Sequence, residues 1–283
     1  MCQKLLFVLA LVISLSVPVH ASSSACTAHY LNSNAPEITN EAIASKAREI
    51  CFSSFGVMHS GITRTPLWSA EHLTRDSIEN AKDIERVNRF HAEDSLPVGE
   101  RAELKDYARS GFDRGHMAPS GDMPNSEAQE ESFSLANMVP QNPRNNRYLW
   151  EGIESAVRRL AIKRGELFVL TGPLFEGDSL QQLNGHVMVP THFYKIVYDP
   201  KRREAAAYLV ENNEKNDYST VSVAELEKLA GINFFPSLSA KTKQAKLDLP
   251  DPTPHGQRSR ESTQFSLYRE IDKILHALRA MLR

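Results

Sequence analysis

Residues 111–119 read Gly111-Phe112-Asp113-Arg114-Gly115-His116-Met117-Ala118-Pro119, with an arginine and a histidine separated by one glycine in a polar context. Gly115 lacks a Cβ and frees the backbone to turn, so that both side chains approach one ligand. Histidine is the side chain whose ordinary pKa suits a general base near neutral pH, and arginine is the one that best clamps a phosphate. Taken by itself, the string reads more readily as a surface loop with a structural histidine.

The neighbouring sequence changes that balance. Downstream come Leu135-Ala136-Asn137-Met138-Val139-Pro140-Gln141 and then Asn145-Asn146-Arg147, which leads into a run with helical spacing over 150–164. If the helix extends back through Asn146, a rotation of about 100° per residue places that amide on the inward arc of Trp150, Ile153 and Val157, where it needs partners. Glu154 and Arg158 are four apart and share a face beside the arc, so a carboxylate and a guanidinium look into one site. In an arbitrary helix the same pair is a solvent-exposed ion pair worth under ~0.5 kcal/mol. Between 141 and 164, six basic residues (Arg144, Arg147, Arg158, Arg159, Lys163, Arg164) stand against two acidic ones (Glu151, Glu154), a net of +4. Such a local patch is what a polyanion requires.

The whole chain supplies no comparable field. Its 283 residues carry 33 Lys and Arg against 35 Asp and Glu, a formal −2, so a polyanion partner depends on the local patch. With 41% hydrophobic and 24% charged residues, 13 Gly and 15 Pro, the composition is that of an ordinary globular chain. It excludes collagen-like, coiled-coil and wholly disordered classes. The length accommodates two domains, or one large domain with extensions.

Residues 1–21, MCQKLLFVLALVISLSVPVHA, have the layout of a secretory signal peptide: Lys4, an apolar run over 5–17, Pro18, and the small residues Val19 and Ala21 before a cut. The run is too short for the ~20 residues that span a bilayer core. The expected location is therefore secreted or periplasmic, with no stable membrane association after cleavage. Lipidation at Cys26 is the alternative, for which Ser23 is a poor fit. Loss of 1–21 removes Cys2, and Cys26 and Cys51 remain as an even pair in an oxidising compartment, most simply a disulfide. Two inert buried thiols are the other reading. In neither case is there a thiolate zinc site.

Helical spacing at Ile43, Ala47 and Ile50 predicts a helix over 40–51, within an N-terminal leader of 22–51. Short strands are expected over 52–73, loops from there to Ser110, strands at 166–170, 186–189, 193–198 and 205–210, and helices over 150–164 and 223–230. That mixture is α+β. After Pro236 the chain turns Lys- and Pro-rich, which puts the end of a 52–240 domain near 240. Residues 241–283 read as a basic, Pro-rich linker and an amphipathic helix carrying Leu267, Ile271, Ile274, Leu275, Leu278 and Leu282, a stripe that more often packs than binds a membrane.

Five blocks together, DRGHMAP at 113–119, NMVPQ at 137–141, NNRYLWEGIE at 145–154, TGP at 171–173 and HVMVPTHFYK at 186–195, resemble the DNA/RNA non-specific endonuclease family, the sugar-non-specific ββα-metal nucleases. The resemblance runs over about residues 52–240. It implies a ββα-metal nuclease fold of the α+β class, with a central, mainly antiparallel sheet flanked by helices. It also implies metal-dependent hydrolysis of phosphodiester bonds in DNA and RNA, gripped by the phosphate backbone without regard to sequence or sugar. Position by position, the family's general base falls on His116, its one direct protein ligand for a divalent ion on Asn146, and its carboxylate for metal-bound water on Glu154. Its phosphate-binding arginines fall on Arg158 and Arg114, and an asparagine that supports the site through hydrogen bonds falls on Asn137. A neutral amide with a shell of waters suits Mg²⁺, with Mn²⁺ open. A further family arginine that binds substrate precedes an aromatic-x-x-Asp block, seen here as Phe90-His91-Ala92-Glu93-Asp94; Arg86 fits the common spacing, and Arg89 stands close by.

In the implied reaction His116 takes a proton from water, the hydroxide attacks phosphorus in line, and the ion at Asn146 stabilises the leaving 3′ oxygen. His186 and His192 read as structural, His59, His72 and His91 carry no assignment, and Trp68 and Trp150 read as core. Two other readings compete: a phosphodiesterase for a small or non-nucleic diester, which has no need of the basic helix, and a catalytically silent nucleic-acid-binding module, against which intact His116, Asn146 and Glu154 argue. The residues set no oligomeric state.

Overall fold

The run Thr65–Thr74 becomes the longest strand of a seven-stranded antiparallel sheet, and its residues alternate between two buried faces. The structure, a computed structural model, describes residues 26–253. The segment read as a signal peptide and the expected helix of residues 267–282 lie outside the described residues. In chain order the elements are β1 (Glu37–Ile38), α1 (Glu41–Ala44), β2 (Ala47–Cys51), β3 (Phe55–Ser60), β4 (Thr65–Thr74), α2 (Arg75–Ala81), α3 (Leu104–Tyr107), β5 (Asp113–His116), α4 (Ser126–Ser132) and β6 (Met138–Gln141). They continue as α5 (Glu151–Arg164), β7 (Glu166–Leu174), β8 (Gln182–Leu183), β9 (Val187–Met188), β10 (His192–Asp199), β11 (Glu204–Glu211), β12 (Tyr218–Val221), α6 (Val223–Ala230), β13 (Ile232–Asn233) and α7 (Ala240–Gln244).

The main sheet runs β12-β11-β10-β7-β4-β3-β2. Trp68 and Ala70 of β4, Leu170 of β7, and Tyr194 and Ile196 of β10 point to one face, where Val223 and Leu226 of α6 and the N-terminal Tyr30 and Leu31 cover them. Leu73, Val169, Phe193 and Val197 point to the other, against Ile153, Val157 and Leu160 of α5. Because both faces are covered, these strands read as near-continuous apolar runs. Helix α5 stops at Gly165, whose left-handed φ of 92° closes the last turn. Trp68 and Trp150 are both fully buried, as expected of core residues.

Several elements differ from expectation. The helix predicted over 40–51 is a single turn, α1, followed by the edge strand β2. Lys46 takes a left-handed φ of 58° and breaks the helical path, after which residues 47–51 pair with β3. Cys26 and Cys51 are disulfide-bonded, with Cα atoms 5.2 Å apart, and this ties the N-terminal segment to that edge. The stretch expected to be loops up to Ser110 opens with α2, which is started by a capping box between Thr74 and Ser77. The strand expected at 186–189 shrinks to β9 paired with β8. Packing also continues past 240: Leu247 is buried, its N donates to Ala205 O at 3.0 Å, and Tyr208 Oη donates to Pro250 O at 2.6 Å. The prolines there signal irregular backbone, and irregular backbone still packs. No helix among the described residues is long and apolar enough to cross a membrane.

Candidate active site

The 113–116 string does not turn. It forms β5, an antiparallel ladder with β6 in which Asp113 faces Gln141 and His116 faces Met138. Arg114 and His116 are two apart in an extended strand and therefore project from the same face. Gly115 is needed for a different reason from the expected turn: a Cβ there would stand 2.7 Å from the Cβ of Gln141. From β6 the chain passes through a π-helical segment, Asn145–Trp150, into α5. The two strands and the helix bound a cleft of about 870 Å³ lined by Arg86, Arg114, His116, Asn146, Glu154 and Arg158, among others.

His116 is buried, with its ring edge-on to Phe133 at 4.9 Å between centroids. Burial, reinforced by the nearby Arg86 charge, pushes its pKa down to about 3. The ring is therefore neutral at pH 7, and a neutral imidazole offers one acceptor nitrogen. Its Nε2 is buried without a hydrogen-bond partner, which leaves Nδ1 to meet the cleft.

Asn146 is not the inward-facing amide. The π-helical turn shifts the helical phase, so Asn145 is the buried one: its Oδ1 accepts from Gln141 Nε2 at 2.9 Å and its Nδ2 donates to Glu211 O at 3.1 Å. Asn146 is half-buried on the cleft wall, and its Nδ2 donates to Asp113 Oδ2 at 3.0 Å. Arg147 grips the same carboxylate with two bonds, at 2.8 and 2.7 Å. The amide is thus oriented by a fixed acceptor, and its Oδ1 is left without a partner among the described residues.

Glu154 and Arg158 both line the cleft but do not form a mutual surface pair. Arg158 donates to the buried Asp122 at 2.9 Å. Burial pushes the Glu154 carboxyl up to about 7, and the positive charges of Lys195 and Arg158 partly offset the effect. Arg86 lines the cleft with its guanidinium 5.5 Å from the Phe133 ring centroid, whereas Arg89 pairs with Glu130 at 3.2 Å and is not part of the wall. Arg114 stacks 4.1 Å over Phe90 and makes no ion pair among the described residues.

Asn137 does not reach substrate space. It is fully buried; its Oδ1 accepts from Ser69 Oγ and Ala118 N, and its Nδ2 donates to Ala118 O and Ser132 O. Every position on that amide is used to hold protein, so its place is in the scaffold behind His116 and not among the substrate-binding groups.

The net +4 read from 141–164 is also thinner than a count suggests. Arg147 is paired with Asp113, Arg164 with Asp199 and Arg158 with Asp122, and the cleft arginines that make no ion pair among the described residues are Arg86, Arg109 and Arg114. His186 bonds Asp106 and His192 bonds Thr191, both outside the cleft. No group of three or more His, Cys, Asp or Glu among the described residues is arranged to hold a metal. The residues missed from sequence are the partners: Asp113, Asp122, Phe90 and Phe133. Asp113 stood within the quoted string, but which side chain it meets is decided across the ladder.

The chain matches the family described as DNA/RNA non-specific endonuclease over residues 34–241. It is similar to Nuclease C1 of Cunninghamella echinulata var. echinulata, 35% identical over 209 residues that make up 67% of this chain and 83% of that protein. It is similar to the mitochondrial endonuclease G of Caenorhabditis elegans, 32% identical over 212 residues, 68% of this chain and 69% of that one. Among solved structures, a chain in the crystal structure of the EndoG/EndoGI complex superposes with a TM-score of 0.63 at 29% identity, over 70% of this chain and 89% of that chain. With the ladder, the helix and the cleft between them in place, the chain belongs to the DNA/RNA non-specific endonuclease family.

Proposed function

We propose that the protein is an exported, Mg²⁺-dependent endonuclease that cuts DNA and RNA without regard to base or sugar, with His116 as general base and Asn146 as the ion's protein ligand. One observation carries this reading: a neutral histidine, a fixed amide with a free oxygen and a cleft-lining carboxylate share one cleft with Arg158 and with Arg86 and Arg114, the last two making no ion pair among the described residues. Oxygen donors of that kind, one amide with Glu154 and Glu151 on the same wall, suit a hard cation that keeps most of its waters. When bound, such an ion supplies positive charge at the scissile phosphate and at its leaving oxygen. His116 Nδ1 takes the proton of the attacking water. Arg86, Arg114 and Arg158 hold the phosphate oxygens, and Glu154 orders solvent beside Asn146. None of these groups acts on a base edge or a 2′-hydroxyl, so cleavage ignores both.

Export is supported by the pattern of residues 1–21 and by the Cys26–Cys51 bond. N-terminal sequencing of the envelope or secreted fraction should begin at Ser22; a retained residue 1 would overturn export. The pairing of Arg147 and Arg164 favours a second reading, a phosphodiesterase for a small diester. Purified protein incubated with plasmid, single-stranded DNA, RNA and a chromogenic diester, with Mg²⁺ or EDTA, separates the two. The expected result is Mg²⁺-dependent loss of all three polymers with poor turnover of the diester. Efficient diester turnover with intact polymers would establish the second reading instead.

A further inference from the structure

The polar residues that this mechanism leaves unused lie in one row beneath the cleft. Ser69 of β4, Thr171 of β7 and Lys195 of β10 are directly opposite one another in adjacent strands, on the sheet face turned toward α5. All three are buried. A polar row inside a core is costly unless each member has a partner. Here the partners converge on the two residues that follow His116. Ser69 Oγ donates to Asn137 Oδ1 at 2.8 Å, and Lys195 Nζ donates to Thr171 Oγ1 at 2.7 Å and to Met117 O at 3.4 Å. Met117 N donates to Asn137 O at 3.0 Å, Ala118 N to Asn137 Oδ1 at 2.9 Å, and Ala118 O accepts from Asn137 Nδ2 at 2.9 Å. Asn137, held in turn by Ser69, thus takes three of the four backbone donors and acceptors of Met117 and Ala118, and Lys195 takes the fourth, the Met117 carbonyl.

Lys195 also reaches the helix side of the site. Its Nζ lies 5.6 Å from the ring centroid of Trp150, where α5 begins, and its charge acts on Glu154. Glu71, two residues beyond Ser69 on the same face of β4, is buried with both carboxylate oxygens lacking a hydrogen-bond partner among the described residues. Its electrostatic neighbours are Asp122, Lys195, Glu154 and Arg158.

We propose that Lys195 is a positioning residue of the hydrolytic site: held by Thr171, it fixes the Met117 carbonyl and with it the placement of His116 against Glu154 on α5. This rests on the reading of His116 as the base. Lys195 touches no substrate; it acts through the backbone next to His116, and small misplacements of a catalytic group cost rate steeply.

Lys195→Met in the full chain keeps the apolar stem and removes the ammonium. On plasmid it should lower kcat about 10–100-fold with KM nearly unchanged, the range for loss of a group that orients a catalytic ligand. The ring ¹⁵N shifts of His116 should move in the same variant. Adding Glu71→Gln removes the stranded carboxylate and should raise the thermal midpoint toward wild type while kcat stays low. Wild-type kcat in folded Lys195→Met overturns the proposal, as does kcat recovering together with the midpoint in the double variant. Should Lys195→Met fail to fold, Thr171→Val, which removes the hydroxyl holding Nζ, should lower kcat on the order of tenfold, and wild-type kcat there overturns the proposal equally. His116→Ala in the same assay keeps the two readings apart. An active His116→Ala removes the base assignment, whereas an inactive one beside a fully active Lys195→Met removes only the positioning role.

Discussion

On β10, Tyr194 and Ile196 face α6 and the N-terminal segment, while Phe193, Lys195 and Val197 face α5, and the two sides of the same strands are built differently. The first side has polar atoms only on aromatic rings, those of Tyr30, Trp68, Tyr194 and Tyr198, and the Tyr194 hydroxyl donates to Leu67 O at 2.8 Å. The second carries Ser69, Glu71, Thr171 and Lys195 through its middle, all buried. An apolar isostere set would cost the fold less there, since buried charge is rarely a net stabiliser. The polar side is tolerated because its bonds place the backbone after His116. Buried polarity confined to one face therefore marks where folding free energy is given up for site geometry.

The sharpest break in this contrast comes from the polar side. His116→Ala should lower kcat of the folded protein on plasmid by about 10²–10⁴ while duplex binding stays near wild type, because a base is lost. The loss of a ring buried against Phe133 should lower the thermal midpoint. A rate close to wild type would end the base assignment. Glu154→Gln comes next, at about 10–100-fold. With its carboxyl pushed up to about 7, Glu154 takes up a proton as pH falls through neutrality, whereas His116, pushed down to about 3, stays neutral. Thus kcat/KM should decline on the acid side, the limb should move to lower pH as Mg²⁺ is raised because cation and proton compete, and Glu154→Gln should flatten it. An unchanged limb in that variant assigns it to another group.

Smaller still is the salt effect. Each neutralised phosphate costs about 0.9 in log affinity per decade of salt, so Arg114→Ala should flatten the slope of log KM for duplex DNA by about one unit, alike for all sequences. Arg158→Ala should do the same but also destabilise the fold, since it strands the buried Asp122. A slope unchanged in both would take the cleft arginines off the phosphate. The least effect on turnover is expected on the apolar side. Ile196→Ala should cost about 2–5 kcal/mol in denaturant unfolding and leave kcat of the folded protein as it was; a large kcat loss there would erase the difference between the faces.

The site was more legible in the sequence than its foundation. His116, Asn146, Glu154 and Arg158 were picked out by the family resemblance more than by spacing, and the structure brings all four to one cleft. Their partners were not picked out, since Asp113, Asp122 and Phe133 meet them across a ladder or through space. Lys195 lies inside the strand expected at 193–198, and nothing in that strand's pattern tells that the cover of α5 on its face buries it. Asn145 and Asn146 exchange roles through a π-helical turn that no periodicity of 3.6 reveals. Three apolar residues at 43, 47 and 50 span too few turns to distinguish a helix from one turn and a strand.

Mn²⁺ titration followed by EPR, in wild-type and Asn146→Ala proteins, tests the hydrolytic centre most directly. With Nδ2 held by Asp113 and Oδ1 left for a cation, the expected result is Mn²⁺ binding weakened at least about tenfold, with the metal dependence of plasmid cleavage shifted in parallel. Titrations that superimpose on the wild type would place the ion elsewhere and contradict the assignment of this cleft.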